Sequence, residues 1–186
     1  MTNTIKYSLT ALIIIIILFF VNQRLQSRHR IETGNIFVGD IDNISKIQIS
    51  EKDKTLELIK TDSTWSIVQA ESLVVKENQL DRIFEKIIPL KKEMLITNKE
   101  EKFKKFGVDD SLGRHFKLYD ASDNELIHYI FGNSGQDYQH NYIRKNNSSD
   151  VYRTNDNVYF LLNSNVTYWG SKPKLESDES VVEPNN

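Results

Sequence analysis

The sequence predicts an α+β domain of antiparallel meanders and hairpins with one main amphipathic helix, preceded by a single N-terminal transmembrane helix. Three observations predict it. Several short runs alternate apolar and polar residues at period two, the mark of strands with one buried face. One run, 75–88, carries its apolar residues at helical spacing. The connectors between the alternating runs are short and polar, too short for crossovers, so neighbouring strands pair antiparallel.

The first element is the apolar run from Tyr7 to Val21, which holds no charge and only three hydroxyls, those of Tyr7, Ser8 and Thr10. At about 1.5 Å per residue it is slightly short for a hydrocarbon core of about 30 Å. Ile5 and the aliphatic stem of Lys6 lengthen it, and local bilayer thinning absorbs the rest. The following stretch, Val21-Asn22-Gln23-Arg24-Leu25-Gln26-Ser27, offers signal peptidase no small-x-small pair, so an uncleaved anchor is preferred to a removed signal. A core helix at the surface of a small domain would need a polar face for solvent, and five consecutive isoleucines provide none.

The lipid bilayer is therefore the expected partner of residues 1–30, and the cytoplasmic membrane the expected location. Two arguments about orientation oppose each other. Arg24, Arg28 and Arg30 follow the span and Lys6 alone precedes it, which by the positive-inside rule keeps the domain in the cytoplasm. A very short N-terminal tail before an apolar run is how export signals begin, and long following domains translocate largely regardless of flanking charge. The second argument is preferred, and the domain is expected on the extracytoplasmic side.

The expected domain covers 31–172 and the tail 173–186, whose few apolar residues and two prolines cannot repay the entropy of ordering. Within the domain, Ser45–Ser50, Thr55–Lys60 and Thr64–Val68 alternate as a first meander, with Trp65 and Ile67 on one face. Leu80, Ile83, Phe84, Ile87 and Ile88 then recur at helical spacing until Pro89. A strand at Glu93–Thr97 and a short helix through Lys99–Phe106 follow, the helix ended by Gly107 in the left-handed conformation. His115–Tyr119 and Leu126–Phe131 form a second meander, closed at Gly132. Asn141–Lys145 and Val151–Thr154 form a hairpin, and Asn155 or Asp156 caps a helical turn through Val158–Leu162.

The order of Trp65-Ser-Ile, the helical run to Pro89-Leu-Lys, Lys105-Phe-Gly-Val-Asp-Asp-Ser111, Ile130-Phe-Gly132, Tyr142-Ile-Arg144, Val151-Tyr152 and Tyr168-Trp169 resembles the bacterial domain of unknown function 4340 over about Ile44 to Lys172. The chain departs from that family's pattern at Ser111, where a proline often stands, and at Val74-Val-Lys-Glu77, which replaces a Pro-Ala-Asp start to the helix. The resemblance implies an envelope protein with one membrane segment, in a membrane complex with components of ABC-type transport of the gliding-motility kind. It implies no catalytic residues.

Composition narrows the chemistry further. Residues 1–30 carry a charge of +4 and the whole chain −2, which leaves −6 on the rest and disfavours nucleic acid, so no nucleic-acid partner is expected. The chain has no cysteine, hence no disulfide, thiolate site or cysteine nucleophile. The serines lack a nucleophile elbow, Ser134 has no identifiable base, and Asp109-Asp110 after Gly107 is turn chemistry. No phosphate loop or dinucleotide fingerprint is present. None of His29, His115, His128 and His140 stands at the i, i+4 spacing of a helical metal site. No cofactor and no metal is expected.

The preferred reading is a non-catalytic interaction or accessory module. A metal-dependent or hydrolytic envelope enzyme using the loop at Asp137, Tyr138 and His140 is the alternative, and a small-ligand sensor using the cleft between sheet and helix is a third. For the accessory reading the candidate partner contacts are Tyr142 and Arg144, since tyrosine and arginine are favoured at interface centres. Strand alternation leaves two registers open: Ile143 inward, with Tyr142 and Arg144 outward and replaceable without loss of stability, or Tyr142 inward as core.

Overall fold

The computed structural model describes Tyr7 and residues 11–21, 33–135 and 138–173. The basic flank at 22–30, Asp137 and all of the expected tail except Pro173 lie outside the described residues. The chain separates into two compact units, 1–32 and 33–186. In the first, residues 11–21 form helix α1, whose side chains from Leu12 to Val21 are all exposed. Among the described residues no helix is long and apolar enough to cross a membrane, and residues 8–10 of the expected span fall outside them.

The second unit is α+β. In chain order its elements are β1 (Gly34–Asn35), β2 (Lys46–Glu51), β3 (Lys54–Thr61), β4 (Thr64–Ile67), β5 (Val74–Val75), α2 (Glu77–Arg82), β6 (Lys91–Thr97), α3 (Phe103–Phe106), β7 (Arg114–Tyr119), β8 (Glu125–Ser134), β9 (Asn141–Lys145), β10 (Val151–Thr154), α4 (Val166–Trp169) and β11 (Gly170–Ser171). Nine strands form one antiparallel sheet in the order β1-β6-β10-β9-β8-β7-β2-β3-β4, and β5 pairs with β11 apart from it. The two meanders of the sequence are thus adjacent halves of one sheet, joined where Ile49 of β2 stands opposite Phe116 of β7.

One face of this sheet carries the main core. Ile47, Ile49, Leu56, Leu58, Ile67, Phe116, Leu118, Phe131 and Ile143 cluster there with Leu80, Ile83, Ile87 and Ile88 of the helical segment and Leu161, Leu162 and Trp169 from the end of the domain. The helix does not stay α to its end. From Ile83 to Ile87 it widens to a π turn, with the Ile88 amide donating to the Ile83 carbonyl at 2.9 Å, so that Ile83, Ile87 and Ile88 are all buried before Pro89 stops the run.

Pairing across long sequence separations produces the departures from expectation. The helix begins at Glu77 rather than at Val75, because Val74 and Val75 pair with Ser171 and Gly170 and the Lys76 amide donates to the Trp169 carbonyl at 2.7 Å. β6 begins two residues early, at Lys91, where β1 pairs with it. Neither Asn155 nor Asp156 caps the turn at Tyr159–Leu161. Its first amides instead find Asn157 Oδ1 and, through space, Asn141 Oδ1, while Asn155 Oδ1 accepts from the Lys91 amide.

The expected stop at Gly132 is also corrected, because β8 runs on to Ser134. Gly132 is required for packing and not as a turn. A Cβ there would lie 1.9 Å from the Phe106 carbonyl oxygen, so α3 rests directly on the strand backbone. Gly107 behaves as expected, ending α3 at φ 66°. Alanine at Gly132 must push α3 off the sheet, and denaturant unfolding of Gly132→Ala should show a loss of about 1–3 kcal/mol, the usual cost of overpacking. Wild-type stability in that variant would refute the close approach.

Candidate functional site

The register adopted by β9 turns Ile143 into the main core and places Tyr142 and Arg144 on the opposite face. That face is not open at this position. Arg144 is only 4% exposed and Tyr142 is half-buried, because the segment 103–112 lies over β8, β9 and β10. Cross-strand register aligns Ile130, Arg144 and Val151 in one row, and Ile130 and Val151 form a second small core with Val108, Phe103, Phe106 and Tyr142. The outward, freely replaceable pair is therefore corrected. Two layers cover these central strands, one on each face, and the sequence pattern of a single strand does not reveal the second.

Arg144 uses its whole guanidinium within the domain. Nε donates to the Val108 carbonyl at 2.9 Å, one terminal nitrogen to the Ser148 carbonyl at 3.3 Å, and the other to Asp110 Oδ1 at 2.5 Å. The cation also lies 4.5 Å from the centre of the Phe103 ring. Asp110 is the exposed member of the ion pair, its side chain 77% accessible against 5% for Arg144. Water screens the charge attraction at that end, so the bonds to the two carbonyls and the ring contact contribute more to holding the brace.

The loop that supplies the Val108 carbonyl and Asp110 is itself preset. Burial disfavours the ionised form of Asp109, but the Ser111 hydroxyl and the amides of Ser111 and Leu112, all donating to its carboxylate, outweigh that and hold its pKa below the usual value. Asp109-Asp110-Ser111 is turn chemistry, as expected, with Asp110 additionally pinning Arg144.

Beside the brace lies a pair that sequence reasoning missed. His115 of β7 and His128 of β8 face each other, His115 Nδ1 to His128 Nε2 at 2.9 Å, and His115 Nε2 is 3.0 Å from the Asp110 carbonyl. A carbonyl only accepts, so Nε2 of His115 carries a proton, its Nδ1 accepts, and His128 Nε2 donates. The chain of bonds therefore runs from His128 through His115 to the backbone of Asp110. His128 Nδ1 stands 3.7 Å from Glu125 Oε2. A signal for the pair existed: folding the meander about the loop at 120–124 brings positions 115 and 128 diagonally together on one face.

His128 is 8% exposed, and burial, aided by the nearby positive charges of Lys117 and Arg144, lowers its pKa from 6.5 to about 4. An imidazole that titrates normally in the unfolded chain but near 4 in the folded one is protonated first in the unfolded chain as pH falls. The stability it contributes is whole above pH 6.5 and lost progressively toward pH 4.

Two hollows correspond to the alternative readings. His140 lines an open groove of about 470 Å³ with Tyr138, Gln139, Asn155, Asp156, Asn157 and Phe160. Trp65 and Phe84 border a cleft of about 360 Å³ between the β4 edge and the helix. Among the described residues no group of three or more His, Asp or Glu is placed to hold a metal ion.

Two measurements check this geometry. Arg144→Ala and Arg144→Lys should each cost about 2–3 kcal/mol in denaturant unfolding, since lysine cannot reproduce the fork, while Asp110→Asn costs less than about 1 kcal/mol. Equal losses for all three would make the ion pair the dominant contact instead. Between pH 7 and 4 the wild-type chain should lose up to about 3 kcal/mol more than His128→Gln, and parallel pH profiles would refute the buried neutral imidazole.

The family model for a domain of unknown function, DUF4340, matches residues 65–183. The match starts at Trp65, so β2 and β3 precede it although they pair into the same sheet. No curated protein matches the chain, and no solved structure matches it.

Proposed function

The chain belongs to the DUF4340 family, and on that premise we propose that it is a single-pass protein of the cytoplasmic membrane whose α+β domain stands outside the cytoplasm as a non-catalytic interaction or accessory module. The observation that carries the anchor is α1. Its ten residues from Leu12 to Val21 are between 46% and 62% exposed, every one of them apolar. In water each such side chain forgoes roughly 1.5–3 kcal/mol of burial, and a bilayer is the surrounding that recovers it for all sides of a helix at once. The described helix would reach about 16 Å at 1.5 Å per residue, and the uncharged sequence before it lengthens the span.

The accessory role draws on how the polar side chains are used. Arg144, Asp110, His115 and His128 bond to one another and to backbone carbonyls, an arrangement that stiffens a sheet. The association with ABC-type transport rests on the family resemblance.

N-terminal sequencing of the membrane fraction tests the anchor, with an intact N-terminus expected and a mature chain beginning between Asn22 and Ser27 fatal to it. A reporter active only after export, fused beyond Lys172, should be active, while a cytoplasmic reporter at the same point should be silent. The reverse pair of results would place the domain inside the cell. Cross-linking in intact membranes should join the chain to an ABC permease or ATPase; cross-links to neither would remove the transport assignment.

A further inference from the structure

Two aromatic rings border the groove beside His140 and remain in water, Tyr138 at 78% and Phe160 at 53% exposure. Large rings usually bury most of their surface, so two in one concavity mark a surface kept for contact. The backbone adds an independent observation. Tyr138 holds the left-handed conformation, φ 56°, which a bulky residue seldom adopts. Asn157 Nδ2 donates to the Tyr138 carbonyl at 2.9 Å, and the Tyr138 amide donates to the Gly135 carbonyl at 3.1 Å, bonds that keep the strained residue in place. Strain of this kind persists where the surroundings over-determine it, and it clusters at ligand sites.

The remaining lining is planar and polar. Asn157 Oδ1 accepts from the Tyr159 amide, Asn155 Oδ1 from the Lys91 amide, and His140 Nδ1 donates to the Thr154 carbonyl, so Asn155 and His140 are held in orientation by the sheet behind them and Asn157 by the turn at Tyr159–Leu161. Arg82 lies over the Phe160 ring, 5.1 Å from its centre, and steadies it. Among the described residues no lysine or arginine lines the groove, and Asp156 brings a negative charge, which disfavours an anionic ligand.

We propose that this groove is a binding site for an uncharged oligosaccharide. The C–H faces of pyranose rings pack on Tyr138 and Phe160, and the hydroxyls, each both donor and acceptor, bond to the carboxylate and amide groups of Asp156, Asn155 and Gln139. The volume of about 470 Å³ lies in the range of small-molecule sites, and its open form suits a chain of sugars that extends beyond it. The assignment does not depend on the membrane or transport reading.

Calorimetric titration of the full chain, held in a polyoxyethylene detergent that contains no sugar, tests it with chitotetraose, cellotetraose and maltotetraose. At least one should bind saturably. Tyr138→Ala and Phe160→Ala should each weaken that binding about tenfold without moving the thermal midpoint, Asp156→Asn should weaken it as well, and Tyr138→Phe should retain it. Saturable binding of none of the three sugars, or binding that survives both alanine variants, overturns the proposal. Tyr138-dependent binding of tetramethylammonium, with no sugar bound, would also overturn it by making the groove a site for organic cations.

Discussion

A buried guanidinium organises the central part of this sheet. Arg144 sits in β9 with strands on either side and a second layer above it, where a charge without partners would be very costly. Its nitrogens must be satisfied by groups that come to it. The carbonyls of Val108 and Ser148 and the carboxylate of Asp110 do so, from two different connections. The requirement therefore positions the 103–112 segment and the turn after β9 together, and with them the second small core of Val108, Ile130 and Val151.

Gly132 completes the same constraint from the other side. The Phe106 carbonyl occupies the space of a side chain on β8, which brings α3 close enough for Phe103 to meet Arg144 and Phe106 to meet the Tyr142 ring at 4.7 Å. The two histidines extend the network toward the edge of this patch, and their directed hydrogen bonds end on the carbonyl of Asp110, the residue whose carboxylate meets Arg144. Charge, hydrogen-bond direction and a missing side chain thus act on one loop.

On the main-core face the organisation is apolar and more redundant. The π turn keeps three isoleucines on one side before Pro89, and the last segment of the domain returns Trp169, wholly buried, against the same cluster. Lys76 links the two, its amide to the Trp169 carbonyl and its ammonium to the Thr167 carbonyl at 2.8 Å. The groove of Tyr138 and Phe160 belongs to neither core, and two of its other lining side chains, Asn155 and His140, are bonded to the backbone of β6 and β10.

The sequence by itself determined the strand and helix runs, the antiparallel meanders, the left-handed end at Gly107 and the turn at Asp109-Asp110-Ser111, because each depends on periodicity or on residues within a few positions. The α+β class followed from those local signals, and so did the family, from the order of short motifs. Tertiary structure alone decided that Arg144 is enclosed, that β8 passes through Gly132, that Val74 and Val75 pair with residues near 170, and that Tyr138 shares a groove with Phe160. Alternation along one strand says which residues share a face, and it carries no record of what covers that face. The covering segments arrive from tens of residues away, and only the closed backbone brings their carbonyls to the charge that needs them.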